Sequence, residues 1–281
     1  MTRSKLACLL TLSLPLLAAA CATVPGTERH QLMMVPLSME MSLGGDGYQQ
    51  TLTESQDKLV TSGPDFDRVQ RVGDRIAQAA QRLYPDPANR FTWEIVLIDE
   101  PETANAWCMP GGKMAVYTGL LPITQDEDSL AVVVGHEVAH AVARHGGERM
   151  SQTLAAELAL MGASASMSDM DPEKRDLYLQ AMVGVGTLGV ILPYSRKHET
   201  EADELGLYLA ADAGYDPRAA IGLWERMAAK SQGQAPPEFL STHPSSASRI
   251  EHLEESMGQA LAYYEASKAR RDGPAEAFGI R

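Results

Sequence analysis

Cysteine, aromatic rings, basic charge and long apolar runs are all in short supply in this 281-residue chain. There are three cysteines. Cys8 lies in an N-terminal leader and Cys21 at its end, so only Cys108 remains as an ordinary thiol and an internal disulfide is excluded. Aromatics make up 6 % of the residues, and Met (14) and Ala do much of the interior filling. The apolar fraction of 44 % still suffices for a substantial core, in one large domain or two small ones. Lys and Arg (24) are outnumbered by Asp and Glu (37), a net charge of −13 that argues against nucleic acid as a partner and against electrostatic adhesion to anionic lipid. Leu177 to Leu192 is apolar but too short and too Gly-rich for a spanning helix, and is expected to be a buried helix packed through small residues, with membrane contact as the alternative.

The leader reads as a targeting segment. Arg3 and Lys5 precede the apolar stretch Leu6 to Leu17, and Ala18-Ala19-Ala20 precede Cys21. A cysteine after three small residues resembles a bacterial lipoprotein signal, with Leu17 one position further back than the usual lipobox leucine. Residues 1–20 are therefore expected to be removed. Lipid on Cys21 would anchor the mature chain on the periplasmic side of the outer membrane, with a soluble periplasmic protein as the alternative.

What is present is a motif. Residues 136–140 read His136-Glu137-Val138-Ala139-His140 inside a strongly helical stretch. Positions i and i+4 share a helix face, so His136 and His140 can offer two imidazoles to one ion. Glu137 then stands beside the ion and can take a proton from a water bound there, which is the spacing of a zinc hydrolase. The run Leu130 to Gly135 before the motif and Val138 to Ala143 within and after it are nearly all apolar. A helix apolar around most of its surface is buried, and buried polar groups need partners, which a metal supplies.

Around the motif the reading is α+β, mostly helical with a small sheet. Residues 22–60 read as a tether ending in a short helix near 48–60. Phe66, Val69, Val72, Ile76, Ala79 and Leu83 repeat with a helical period after Ser62-Gly63-Pro64. Phe91 to Asp99 and Lys113 to Tyr117 read as strands. Asp126 to Asp128 start the motif helix, and Gly146-Gly147 interrupts or weakens it. Residues 163–176 read as a polar loop, followed by helices over 195–213, from Asp216-Pro217 to about 230, and from Ser245 to about 270.

A catalytic zinc site takes three protein ligands. The candidates for the third lie in Ser195-Arg196-Lys197-His198-Glu199-Thr200-Glu201-Ala202-Asp203-Glu204. Glu199 and Asp203 share a helical face, and a carboxylate ligand with a second carboxylate on a ligand histidine is a common arrangement. Spacing alone leaves Glu199 and Glu201 both open.

The motif followed by S-R-x-x-E-x-x-A-D, at Ser195-Arg196, Glu199 and Ala202-Asp203, resembles the HtpX and CAAX-prenyl-protease family of gluzincin metallopeptidases. Its periplasmic BepA-like and LoiP-like members and mitochondrial Oma-type members are nearest in style. Asn105-Ala106-Trp107, Pro110-Gly111-Gly112-Lys113 and Val116 to Leu121 resemble the family's N-A-F-x-x-P-G-G…V-Y-T-G-L-L stretch, and Ser241 to Pro244 with Arg249-Ile250 its T-H-P…R-I element. The resemblance covers roughly residues 60–255. It implies a zincin-like domain binding one Zn²⁺ per subunit through His136, His140 and Glu199, with Asp203 orienting a ligand histidine. It implies an edge strand bordering the cleft, with Asn105, Ala106, Gly111 and Gly112 serving an extended substrate.

On this reading Glu137 is the general base, and His243 or Arg249 is a donor to the oxyanion. His243 is alternatively a plug in the open zinc position. Cys108 is a spectator, and His145 and His198 are surface or supporting groups. The plan is a signal over 1–20, a lipid-anchored tether over 21–60, a metallopeptidase domain over 61–255 and a helix end with charged tail over 256–281. The expected function is a zinc endopeptidase of the bacterial cell envelope acting on misfolded or misassembled proteins. The alternative is a zinc-stabilised chaperone or assembly factor with a latent protease site.

Overall fold

The computed structural model describes residues 21–186, 192–230, 238–243 and 247–272, so the leader 1–20 lies outside the described residues. In chain order the elements are β1 (Cys21–Thr23), β2 (His30–Leu32), α1 (Leu37–Glu54), β3 (Leu59–Val60), α2 (Pro64–Leu83), α3 (Pro85–Ala88), β4 (Glu94–Ile98), β5 (Ala106–Met109), β6 (Lys113–Tyr117), α4 (Leu121–Thr124), α5 (Glu127–Val142), α6 (His145–Ser166), α7 (Pro172–Gly186), α8 (Leu192–Asp212), α9 (Ala219–Lys230), α10 (Glu238–Thr242) and α11 (Ala247–Asp272). This is the expected α+β fold, mostly helical with small sheets. The chain divides into two compact units. One comprises the residues up to Glu40 with Arg144–Arg196; the other comprises Met41–Ala143 with Lys197–Arg281.

In the larger unit four strands run in the order β3-β4-β6-β5. β4 and β6 pair in parallel, while β3 and β5 pair antiparallel to their neighbours. β5 is therefore an edge strand. α2 and α5 pack against each other, α2 also against β4 and α5 against β5. The period read in the sequence holds on α2, where Val69, Val72, Ile76 and Ala79 are buried. α5 starts where the Asp126 side chain accepts the Ser129 backbone N–H at 2.7 Å, and every residue from Ser129 to Val142 is buried. The motif helix is thus central, as its apolar composition requires.

Two close approaches position it. A Cβ on Gly206 of α8 would meet the His136 backbone nitrogen at 2.6 Å, and a Cβ on Gly135 would meet the Gly206 carbonyl oxygen at 2.6 Å. α5 and α8 cross backbone against backbone one residue from the first motif histidine. The segment read as a tether with a short helix near 48–60 instead carries an 18-residue helix, α1, that starts at Leu37. Gly44 lies against the Pro110 backbone and Gly47 against Met109, so the lost helix propensity is offset by packing.

In the smaller unit β1 and β2 form an antiparallel pair with Cys21 opposite Leu32, and β2 packs against α6. The Arg29 guanidinium donates to both Glu148 oxygens at 3.0 and 2.8 Å, and the Ser151 hydroxyl oxygen accepts from the Met34 and Val35 N–H groups. The helical break falls at Arg144, with φ 58°, rather than at Gly146-Gly147. The Arg144 side chain is held by Glu40 and by the Val35 carbonyl, while Gly147 admits Glu40 close to the backbone. Residues 163–166 finish α6 and 172–176 begin α7, so most of the expected polar loop is helix. The apolar stretch after Leu177 continues α7 to Gly186; residues 187–191 lie outside the described residues. No described helix is long and apolar enough to cross a membrane.

The crossing makes a prediction. Gly206→Ala forces a methyl group onto the His136 backbone and should destabilise by about 1–3 kcal/mol. Gly258→Ala, on α11 with nothing within 4 Å of its would-be Cβ, should be neutral or stabilising by up to ~1 kcal/mol. Chemical denaturation of both variants checks this, and equal midpoints would mean that the crossing has room to spare.

Candidate metal centre

Three segments far apart in sequence meet at α5. His136, His140, Glu199 and His243 each offer one ligand atom, and these atoms all lie within 4.8 Å of one another. His136 Nε2 is 3.1 Å from His140 Nε2, 3.2 Å from His243 Nδ1 and 3.4 Å from Glu199 Oε2. His243 Nδ1 is 2.9 Å from Glu199 Oε2. Glu199 belongs to this group and Glu201, although also buried, does not.

The tautomer of His136 is fixed from behind. Its Nδ1 is 3.0 Å from Asp203 Oδ1, so Nδ1–H donates to the carboxylate and the Nε2 lone pair points into the cluster. Asp203 is held in turn by Arg249, whose Nε and Nη2 donate to its two oxygens at 2.6 and 2.7 Å. Arg249 Nη1 donates to the His243 carbonyl at 3.2 Å, and the guanidinium lies 4.1 Å over the Trp224 ring. Considered in sequence as an oxyanion donor, Arg249 is found beneath the ligand set instead, 3 % exposed and committed to Asp203.

Charge decides what the cluster can hold. The buried carboxylates Glu137, Glu199 and Asp203 face one guanidinium, so with neutral histidines the charge is two units negative. Burial opposes ionisation of Glu199, but the close approach of His136 and His243 outweighs it and holds its carboxyl far below the usual range. Burial likewise opposes a charged His136, yet Asp203 and Glu199 lift it to about 9. The carboxylates require positive charge at this point. Lone pairs converging from imidazoles and a carboxylate fit a divalent cation there.

Glu137 stands alongside. Its Oε1 is 3.4 Å from His243 Nε2 and accepts no hydrogen bond. Burial raises its pKa, partly countered by His243 and His136, which moves it toward the range of a general base. It packs with Ala106 and Trp107 of β5 along one wall. Asn105 leads into that strand, its side-chain oxygen accepting the Ala106 N–H at 2.9 Å. Gly111 and Gly112, with φ 96° and 82°, form the turn from β5 to β6. Burial and the nearby Glu137 push the Cys108 thiol well above its ordinary pKa, so it stays protonated. His145 and His198 are both fully buried, which overturns a surface position for them.

Sequence reasoning missed Gly135, Gly206 and Phe239. The glycines had a signal, since Gly206 follows Glu199 and Asp203 at the i+7 and i+3 positions of one helical face.

Residues 64–257 match the family described as Peptidase family M48. Mitochondrial metalloendopeptidase OMA1 of Schizosaccharomyces pombe is 39 % identical over 246 residues, covering 87 % of this chain and 68 % of that protein. The Arabidopsis thaliana protein of the same name is 35 % identical over 238 residues, covering 84 % and 45 %. The Escherichia coli beta-barrel assembly-enhancing protease is 27 % identical over 248 residues, covering 84 % and 47 %. The chain thus spans about two thirds of the first relative and about half of the other two. These relatives correct the expected location: the matches of higher identity are mitochondrial proteins, against a lipid-anchored place at a bacterial outer membrane. The matched span holds the histidine–glutamate cluster and Glu137, and the chain belongs to Peptidase family M48 as a metalloendopeptidase.

Proposed function

We propose that this chain is a zinc-dependent endopeptidase that cleaves proteins in unfolded or misassembled states. The observation that carries the reading is the convergence of His136, His140 and Glu199 beside an unpartnered Glu137 oxygen. Two imidazoles and a carboxylate suit zinc. When bound, zinc lowers the pKa of water and polarises a carbonyl. The chain's own groups do the rest. Glu137 takes a proton from the attacking water and passes it to the leaving amine. Asp203 and Arg249 hold the His136 ring in the tautomer that faces the ligand set. β5 offers its edge to an extended peptide, and extended segments are available where a protein is unfolded or caught before assembly. The relatives, a metalloendopeptidase and a beta-barrel assembly-enhancing protease, support internal peptide-bond cleavage.

His243 lies in ligand range, and we assign it a restraining role: an imidazole there competes with water for the catalytic position. His243→Ala should therefore raise basal cleavage of casein. A fall in rate would instead make His243 a donor to the oxyanion, and an unchanged rate would leave it without either role.

Glu137→Gln keeps shape and removes the base. Casein cleavage should drop by ~10²–10⁴-fold with metal content unchanged. Wild-type cleavage by this variant would remove Glu137 from the mechanism. Glu199→Ala should lose most bound zinc while Glu201→Ala keeps it, as read by elemental analysis of the purified proteins; the reverse pattern would transfer the ligand role to Glu201.

A further inference from the structure

β5 is an edge strand, so its position depends on what holds its ends. It pairs with β6 on one side, and no strand lies on its other side among the described residues. That open edge is where an extended peptide would pair, so its placement beside Glu137 decides whether a bound peptide reaches the site. The end of β5 away from Asn105 is the turn through Pro110, Gly111 and Gly112. The carbonyls of Gly111 and Gly112 accept from the Thr92 and Glu94 N–H groups, each at 3.0 Å, which anchors the turn beside β4. A second set of contacts comes from a helix with no ligand on it.

From Met41 onward α1 lies against this turn and against β5. A Cβ on Gly44 would stand 2.2 Å from the Pro110 carbonyl oxygen, and one on Gly47 would stand 3.1 Å from Met109 Sδ. Tyr48 is fully buried, and its ring meets Trp107 of β5 edge-on, with centroids 6.2 Å apart and planes at 81°. Lys113 Nζ lies 5.5 Å over the same Tyr48 ring and donates to Glu94 at 2.9 Å. Gly44, Gly47 and Tyr48 fall at i, i+3 and i+4, on one face of the helix. Gly45 lies off that face, and its would-be Cβ meets nothing within 4 Å. Glycine weakens a helix at all three positions, and at Gly44 it lets helix backbone reach the backbone of the turn.

We propose that α1 sets the position of the substrate-pairing strand, with Gly44 and Tyr48 as positioning residues for an extended peptide. Gly44 fixes how far the turn stands from the helix, and Tyr48 fixes β5 at Trp107. Neither touches the ligand atoms, so both act on the peptide backbone through β5 and not on the metal or on Glu137. The proposal rests on the peptidase reading, and it separates two jobs within the site. The ligand set and Glu137 perform the chemistry, while α1 places the strand that presents the bond to them. A helix that served packing alone would affect every ligand of the protein alike.

The test is equilibrium binding to the full-length, zinc-loaded Glu137→Gln protein, read by anisotropy of a labelled eight-residue peptide in which threonine and valine alternate. Its counterpart is methylated at every backbone nitrogen and cannot pair as a strand. The unmethylated peptide should bind on the order of tenfold more tightly, the effect of one or two backbone hydrogen bonds. Gly44→Ala in the same background should erase that preference by weakening the unmethylated peptide alone, with zinc content unchanged. Gly45→Ala should leave the preference as it is. Tyr48→Leu, a milder change that decides the matter if the Gly44 variant does not fold, should reduce the preference in the same way. A preference that survives both changes, or equal weakening of both peptides, or loss of zinc together with the preference, would overturn the role of α1. Casein cleavage by the protein with Glu137 intact reports separately on the peptidase reading: a preference that Gly44→Ala erases, without any cleavage, would sink that reading and leave the role of α1 standing.

Discussion

Everything at the site depends on two helices touching without side chains between them. At Gly135 and Gly206 the backbones of α5 and α8 meet, and that contact sets the distance between the imidazoles on one helix and the carboxylates on the other. Ligand geometry is usually discussed through rotamers. Here it is fixed one step earlier, by how close two cylinders can come. A methyl group at either glycine pushes the helices apart along the line on which His136 must reach Asp203 and Glu199.

Electrostatics then makes the contact worth keeping. Burying three carboxylates is costly unless each is compensated. Arg249 compensates Asp203 with two hydrogen bonds and is itself covered by the Trp224 ring. Glu199 draws on the histidines. Burial of Glu137 is only partly countered by His243 and His136, and its raised pKa is the consequence. On the proposed mechanism one carboxylate orients, one ligates and one moves protons, and the order follows how completely the fold has satisfied each.

The legible part of this site lay within single helices. His136, Glu137 and His140 stand at fixed spacing on one helix, and the apolar run around them announced its burial. Glu199 against Glu201 could not be settled from spacing, because both fit a helix; the choice is made by which face crosses α5. Arg249 was unreadable as the partner of Asp203, since the two lie 46 residues apart and nothing local links them. The helix α1 was read as starting only near residue 48 because Gly44 and Gly47 signal a flexible segment when their packing partners, Pro110 and Met109, are unknown. Gly146-Gly147 misled in the opposite way, as the turn is made at Arg144 by a side chain tied to Glu40.

The division of the chain into two units has a consequence for how this architecture can vary. The larger unit is interrupted after Ala143 and resumes at Lys197, between His140 and Glu199. Closing a chain excursion costs little more as it lengthens, about 0.6 kcal/mol per doubling. Insertions between α5 and α8 can therefore grow or shrink with small penalty to the site. The intervals inside each helix have no such tolerance, because a single added residue rotates a ligand by about 100° away from its partner. The number of residues between the two ligand helices is thus a loose quantity, while His136 to His140 and Glu199 to Asp203 to Gly206 are rigid ones.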